Sequence, residues 1–132
     1  MAAQFTLVSK DQRIEVRTTR KHANLLESTV SASIGAFSGS FKAEFATTEL
    51  INLHERLVSS VAAPSGPISF GSANGDLSLV IEFVGTEQAI IRGTMRPHLL
   101  QQAKLDFRFD ATTASLGPTI QDLEDVIREF GV

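Results

Sequence analysis

Three histidines, His22, His54 and His98, are the side chains here best suited to proton transfer or metal binding, and they fall on three separate segments. None belongs to an H-E-x-x-H pair or has a second histidine at helical spacing, and a metal site needs convergent ligands. His54 reads as a packed residue at a helix edge. Serines are numerous, but no G-x-S-x-G elbow presents one as a nucleophile, and Gly35-Ala36-Phe37-Ser38-Gly39 departs from that spacing. The same two glycines lack the Lys-Ser/Thr end of a phosphate loop. Glu44, Glu82 and Asp106 lie on strand-like segments, where neighbouring carboxylates can share acid–base work. Lys42, Arg92, Arg96, Lys104 and Arg108 lie among them, so the plain reading is a solvated strand face. Phe107 and Phe109 beside Lys104 and Arg108 resemble a base-stacking strand, but the phenylalanines share the parity opposite to the cations. They read as core. No catalytic residue, metal site or cofactor is expected.

Composition narrows the class. The chain has 132 residues, 42% hydrophobic and 20% charged, with a formal charge of −3. That is ordinary globular usage, and the acidic balance argues against nucleic acid as a partner, since phosphate neutralisation needs clustered Lys and Arg. Charge is uneven: Lys10, Arg13, Arg17, Arg20 and Lys21 crowd the beginning, and Asp122, Glu124, Asp125 and Glu129 the end. No apolar run approaches the roughly 20 residues that cross a bilayer, so no membrane partner is expected. The start has no basic segment followed by an apolar one, so no signal peptide is expected. With no cysteine, disulfides and thiolate chemistry are excluded. Both observations fit a cytoplasmic location.

The elements that carry these residues can be read from periodicity. One stretch organises the rest: Phe41-Lys42-Ala43-Glu44-Phe45 alternates as a strand and runs straight into a helix whose face is Leu50, Leu53, Leu57 and Val61. Thr47 or Thr48 can cap that helix, and Ala62-Ala63-Pro64 stops it. Before it stand strands near 5–8, 13–17 and 26–34, with Thr18 to Asn24 as a polar loop and a bend where Gly35 and Gly39 bracket Phe37. After it come Ile68-Ser69-Phe70, a turn at Asn74-Gly75-Asp76, a hairpin over 77–83 and 89–96 ended by Pro97, and a strand over 104–110. Thr119 and Asp122 resemble a capping box for a last helix with Ile120, Leu123, Val126, Ile127 and Phe130 on its apolar face. No internal repeat or linker is visible, so one domain over 1–132 is expected. The fold class is α+β: a single, mostly antiparallel curved sheet of about six to eight strands, with two helices (about 48–62 and 119–130) packed on one face.

The reverse of that sheet would carry Arg13, Glu15, Arg17, Lys42, Glu44, Glu82, Arg92, Arg96, Lys104, Asp106 and Arg108. Such a face is either plain solvated surface or a polar interface whose complementary charge selects a partner. Lys42, Glu44, Arg92, Arg96, Asp106 and Arg108 are the candidate partner-binding residues. Two other readings stand beside a protein partner: a small-ligand or substrate pocket between sheet and helix, and a homo-oligomeric module built on an exposed strand edge.

Three stretches, GAFSGSFKAEFATTELINLHERL, GDLSLVIEFVGTEQAIIRGTM and LDFRFDATTASLGPTIQDLEDVI, occur in that order. Together they resemble a group of small bacterial α+β proteins, mostly of unknown function, that includes immunity proteins for toxins of the wall-associated-protein type. The resemblance covers nearly the whole chain through the pattern F-x-G-x-F, helix, G-x-L-x-L hairpin and L-x-F-x-x-D. It carries no catalytic residues. It implies a cytoplasmic protein that binds a toxin domain stoichiometrically and blocks it.

Overall fold

A computed structural model describes residues 3–64, 66–97 and 104–132. Ser65 and His98 lie outside the described residues. Among the described residues, eight strands and two helices follow one another as β1 (Ala3–Ser9), β2 (Gln12–His22), β3 (Leu25–Ile34), β4 (Phe37–Ala46), α1 (Thr47–Ala62), β5 (Ile68–Gly71), β6 (Leu77–Val84), β7 (Gln88–Met95), β8 (Leu105–Thr112) and α2 (Thr113–Glu129). Every strand pairing is antiparallel, as short connections require.

The strands do not form one sheet. They make two four-stranded meanders, β1-β2-β3-β4 and β5-β6-β7-β8, which corrects the single curved sheet expected from the sequence. Alternation reports which side chains point inward but not which strand lies beside which. The helix between β4 and β5 interrupts the hydrogen-bonded ladder, and a new sheet begins after it. The inner faces of both sheets and one stripe of each helix share a continuous core containing Phe5, Val16, Phe45, Leu53, Ile81, Phe109 and Leu123. Phe70 of β5 reaches across between two phenylalanines of the first sheet. It stacks on Phe45 at 5.1 Å between ring centroids and meets Phe5 edge-on at 5.8 Å. Each large side chain buried this way contributes roughly 1.5–3 kcal/mol of transfer free energy.

The order ββββα therefore occurs twice, a repeat that residue identity hides. The junctions display it: Thr47 opens α1 directly after β4, and Thr113 opens α2 directly after β8. The two joints are built alike. The Thr47 amide donates to the Asn24 carbonyl in the β2–β3 turn (2.9 Å), and the Thr113 amide donates to the Glu87 carbonyl in the β6–β7 turn (3.0 Å). Each bond satisfies one of the helix's orphan N–H groups. The helices are exchanged between the units. α1 packs against β5, α2 packs against β1, and the helices touch each other.

Several local expectations change for identifiable reasons. Thr18 to His22 belongs to β2, which continues past an irregularity between Thr18 and Arg20. Thr18 points inward and is buried, and its hydroxyl pairs with that of Ser28 at 3.0 Å. The bend at Gly35 is a two-residue hairpin loop, since Ile34 pairs with Phe37 and Gly35 has φ +60°. α1 has no side-chain cap, because the Asn24 carbonyl serves instead. Ser60 is buried on α1 while Val61 is half-exposed. α2 starts at Thr113, six residues before the expected Thr119, and carries Gly117 and Pro118 inside it. Thr112 is its cap, accepting from the Ser115 amide at 3.2 Å. The helix runs through this breaker pair because Leu116 is fully buried on its inner stripe.

Candidate functional site

The candidate residues divide between the outer faces of the two sheets. On the first sheet, Arg17, Thr29 and Lys42 form one cross-strand row, and Arg20, Glu27 and Glu44 form another. Lys42 and Glu44 are exposed on β4, and alternation with buried Ala43 and Phe45 keeps them there. Arg20 is ion-paired with Glu27 at 3.4 Å, and Arg13 with Glu15 at 2.9 Å. Among the described residues, Arg17 and Lys42 have no ion-pair partner. Beside these rows the face turns to small hydroxyls, with Ser33 opposite Ser38 and Ser31 opposite Ser40.

On the second sheet, Arg92 of β7 lies directly opposite Arg108 of β8. Like charges in register repel. Arg92 is drawn the other way, its Nε donating to Glu82 Oε1 at 2.6 Å. The Arg108 guanidinium has no ion-pair partner among the described residues. Asp106 accepts from the Thr94 hydroxyl at 2.9 Å and has Lys104 at 3.7 Å. Arg96 follows β7, its amide donating to the Asp76 carbonyl at 2.8 Å. The structure thus brings Arg92, Asp106 and Arg108 together on one sheet and Lys42 with Glu44 on the other.

Among the described residues, three grooves accompany these surfaces, lined by residues of the strands and of the connections between them. One of about 370 Å³ runs over Arg92, Gly93, Thr94 and Arg108. One of about 430 Å³ lies over Glu27, Thr29, Lys42 and Glu44. A third, of about 500 Å³, is mostly apolar and lies between the sheets where the β3–β4 hairpin meets the ends of β7 and β8. Ala32, Phe37, Phe41, Met95 and Leu105 line it. The pocket between sheet and helix entertained from sequence is not among these three grooves.

Of the titratable groups, His54 on α1 is bonded through Nε2 to Glu124 of α2 at 3.1 Å, a link between helices. Asp122 has its carboxyl pushed above the ordinary range, first by burial and second by the charge of Asp125. No group of three His, Cys, Asp or Glu side chains is placed to hold a metal among the described residues. No helix among them is long and apolar enough to cross a membrane.

The partner-binding residues read from the sequence leave out the part of β4 that lies beyond the charged rows, although the sequence does mark Phe37 and Gly39 as a bend that could open a pocket. Phe37, Ser38, Gly39 and Ser40 are all exposed, Phe37 at 64%. The F-x-G-x-F pattern was its only signal, and it resembled a bend.

Compared with known proteins, residues 4–131 match the model of a family described as the Immunity protein WapI-like family. No curated protein and no solved structure matches.

Proposed function

The chain belongs to the WapI-like immunity protein family, and from that premise we propose that it is a non-catalytic protein that binds and blocks a toxin domain. The observation that carries this reading is the extent of the match, which runs from β1 to the end of α2. Blocking a toxin stoichiometrically requires a specific surface rather than a reactive cleft. The outer faces of the two sheets supply mixed charge at fixed spacing through Lys42, Glu44, Arg92, Arg96, Asp106 and Arg108. Complementary charge steers encounter and rejects wrong partners. In this reading the protein works in the bacterial cytoplasm, where it meets toxin arriving in or made by the cell.

Co-expression with the toxin domain of the adjacent reading frame tests the role. Rescue of growth, together with a one-to-one complex by calorimetry, is the expected result, and absence of both would sink it. The surface has its own test in Lys42→Glu, Arg92→Glu and Arg108→Glu combined. Association should slow by roughly tenfold or more at low salt. Unchanged association would remove these three residues from the interface and leave the role standing.

A further inference from the structure

We infer that the outer edge of β4 from Ser38 to Lys42 is the docking strand of this protein, and that its occupant is an extended segment of the toxin domain added to the first sheet. This rests on the toxin-binding reading above and deepens it. The argument begins with the backbone. In an antiparallel pair, alternate residues turn both N–H and C=O toward the neighbour, and the residues between turn theirs away. The Glu44 carbonyl is bonded away from β3, accepting from the Ala73 amide at 2.7 Å. The β3–β4 register is unbroken from Ile34/Phe37 to Leu25/Ala46. Ser38, Ser40 and Lys42 therefore share that parity and aim their N–H and C=O groups outward, where no strand among the described residues pairs with them.

The other three edges are guarded. α2 covers β1, and Thr119 donates its hydroxyl to the Thr6 carbonyl at 2.6 Å. β5 is four residues long and held by α1, Glu49 accepting from the Gly71 amide at 3.1 Å. β8 carries Asp106, Arg108 and Asp110 along its solvent side. Charge and cover of this kind keep sheet edges from recruiting other chains.

The repeat makes the contrast with β8 specific. Counted back from the first residue of each helix, Lys42 corresponds to Arg108 and Glu44 to Asp110, so the charges agree near the joint. Farther out, Ser40 stands where β8 has Asp106, and Ser38 where the second unit has Lys104. The charges that guard one edge are serines on the other.

The side chains state what an occupant looks like. On the inner side of the edge, Phe37, Gly39 and Phe41 border the apolar groove shared with Met95 and Leu105. On the outer side stand Ser38, Ser40 and Lys42, the two serines also reaching the rim of that groove, with Arg17 in the same row as Lys42. The added strand accordingly alternates, with apolar residues toward the groove and polar ones outward, and places an acid against Lys42. Main-chain bonds of this kind give affinity and the alternate side chains give selectivity.

The test uses the full-length chain and an inactivated toxin domain from the adjacent reading frame. Ser40→Pro removes one outward N–H without breaking a bond to β3, which an edge strand tolerates. Ser40→Asp restores the guard that β8 carries and leaves the backbone alone. Both variants should melt near the wild type and bind the toxin domain at least about tenfold more weakly. In the wild-type complex, the amides of Ser38, Ser40 and Lys42 should slow in hydrogen exchange, while those of Gly39 and Phe41, already paired to β3, stay as they were. Unchanged affinity of Ser40→Asp, or free exchange of those three amides in the complex, overturns the docking strand while the toxin-binding role survives. A toxin-free dimer that Ser40→Asp abolishes would assign the edge to a second copy of this chain and overturn the stated occupant. If the wild type fails to bind the toxin domain at all, the role itself falls and the inference with it.

Discussion

At the scale of single residues, the fold is tied together by polar groups that reach between its halves. Thr119 is buried, and its hydroxyl meets the Thr6 carbonyl 113 positions earlier in the chain. Thr119→Val keeps the shape and strands that carbonyl. It should cost about 1–3 kcal/mol, read as a lower urea midpoint. Asp122 makes the opposite prediction. Its folded carboxyl holds a proton more tightly than the ordinary value of 3.8 allows, so it favours the fold below that pH. That contribution is lost as pH rises through the raised value, and at neutral pH the ionised group opposes folding. Asp122→Asn should therefore raise the urea midpoint at pH 7, and the gain should vanish at pH 3. Sequence periodicity identified the inward phenylalanines and the outward Lys42, Glu44, Arg92, Asp106 and Arg108. It could not foresee Thr119 or Thr18 as buried, because a hydroxyl looks like surface until its partner on a distant strand is known.

At the scale of elements, two glycines separate structure from permissiveness. Gly93 of β7 sits where β6 approaches, and a Cβ there would collide with the Ser78 carbonyl oxygen and with Leu79. Gly93→Ala should destabilise by about 1–3 kcal/mol, since the obstacle is backbone. Gly117 of α2 has helical geometry, and apart from its chain neighbours and the helix's own backbone nothing lies within 4 Å of its Cβ position. Gly117→Ala should change stability by less than about 0.5 kcal/mol, because the freedom glycine loses on entering a helix is offset by strain between a new Cβ and the Pro118 ring that follows it. Thermal melts should separate the pair, with a clear drop only for Gly93→Ala. The same glycine explains why the start of α2 was illegible. Gly117-Pro118 carries the signature of a break, and only the burial of Leu116 against the core carries the helix through. α1, with no such interruption, was readable to within one residue of its start.

At the scale of the whole molecule, the two ββββα units hold each other's first strands. Periodicity located all eight strands, yet it contains no statement about lateral order, so neither the division into two sheets nor the exchange of helices could be read from it. The exchange predicts that neither half stands alone. Residues 1–64 lack the helix that covers β1, and residues 66–132 lack the one that covers β5. Each fragment should show no cooperative melt in circular dichroism, and an equimolar mixture should recover one. A fragment that melts cooperatively by itself would show the exchange to be dispensable. The exchange also has a consequence on the ribosome. The first sheet emerges early, but the segment that shields β1 is made more than a hundred residues later, Thr119 following Thr6 by 113 positions. At roughly 5–20 residues per second, the gap between Thr6 and Thr119 leaves that strand bare for on the order of ten seconds in every newborn copy. Slow synthesis or a stalled ribosome would lengthen this interval, so loss of the final helix should send the nascent protein to chaperones or into aggregates rather than to a shortened but working form.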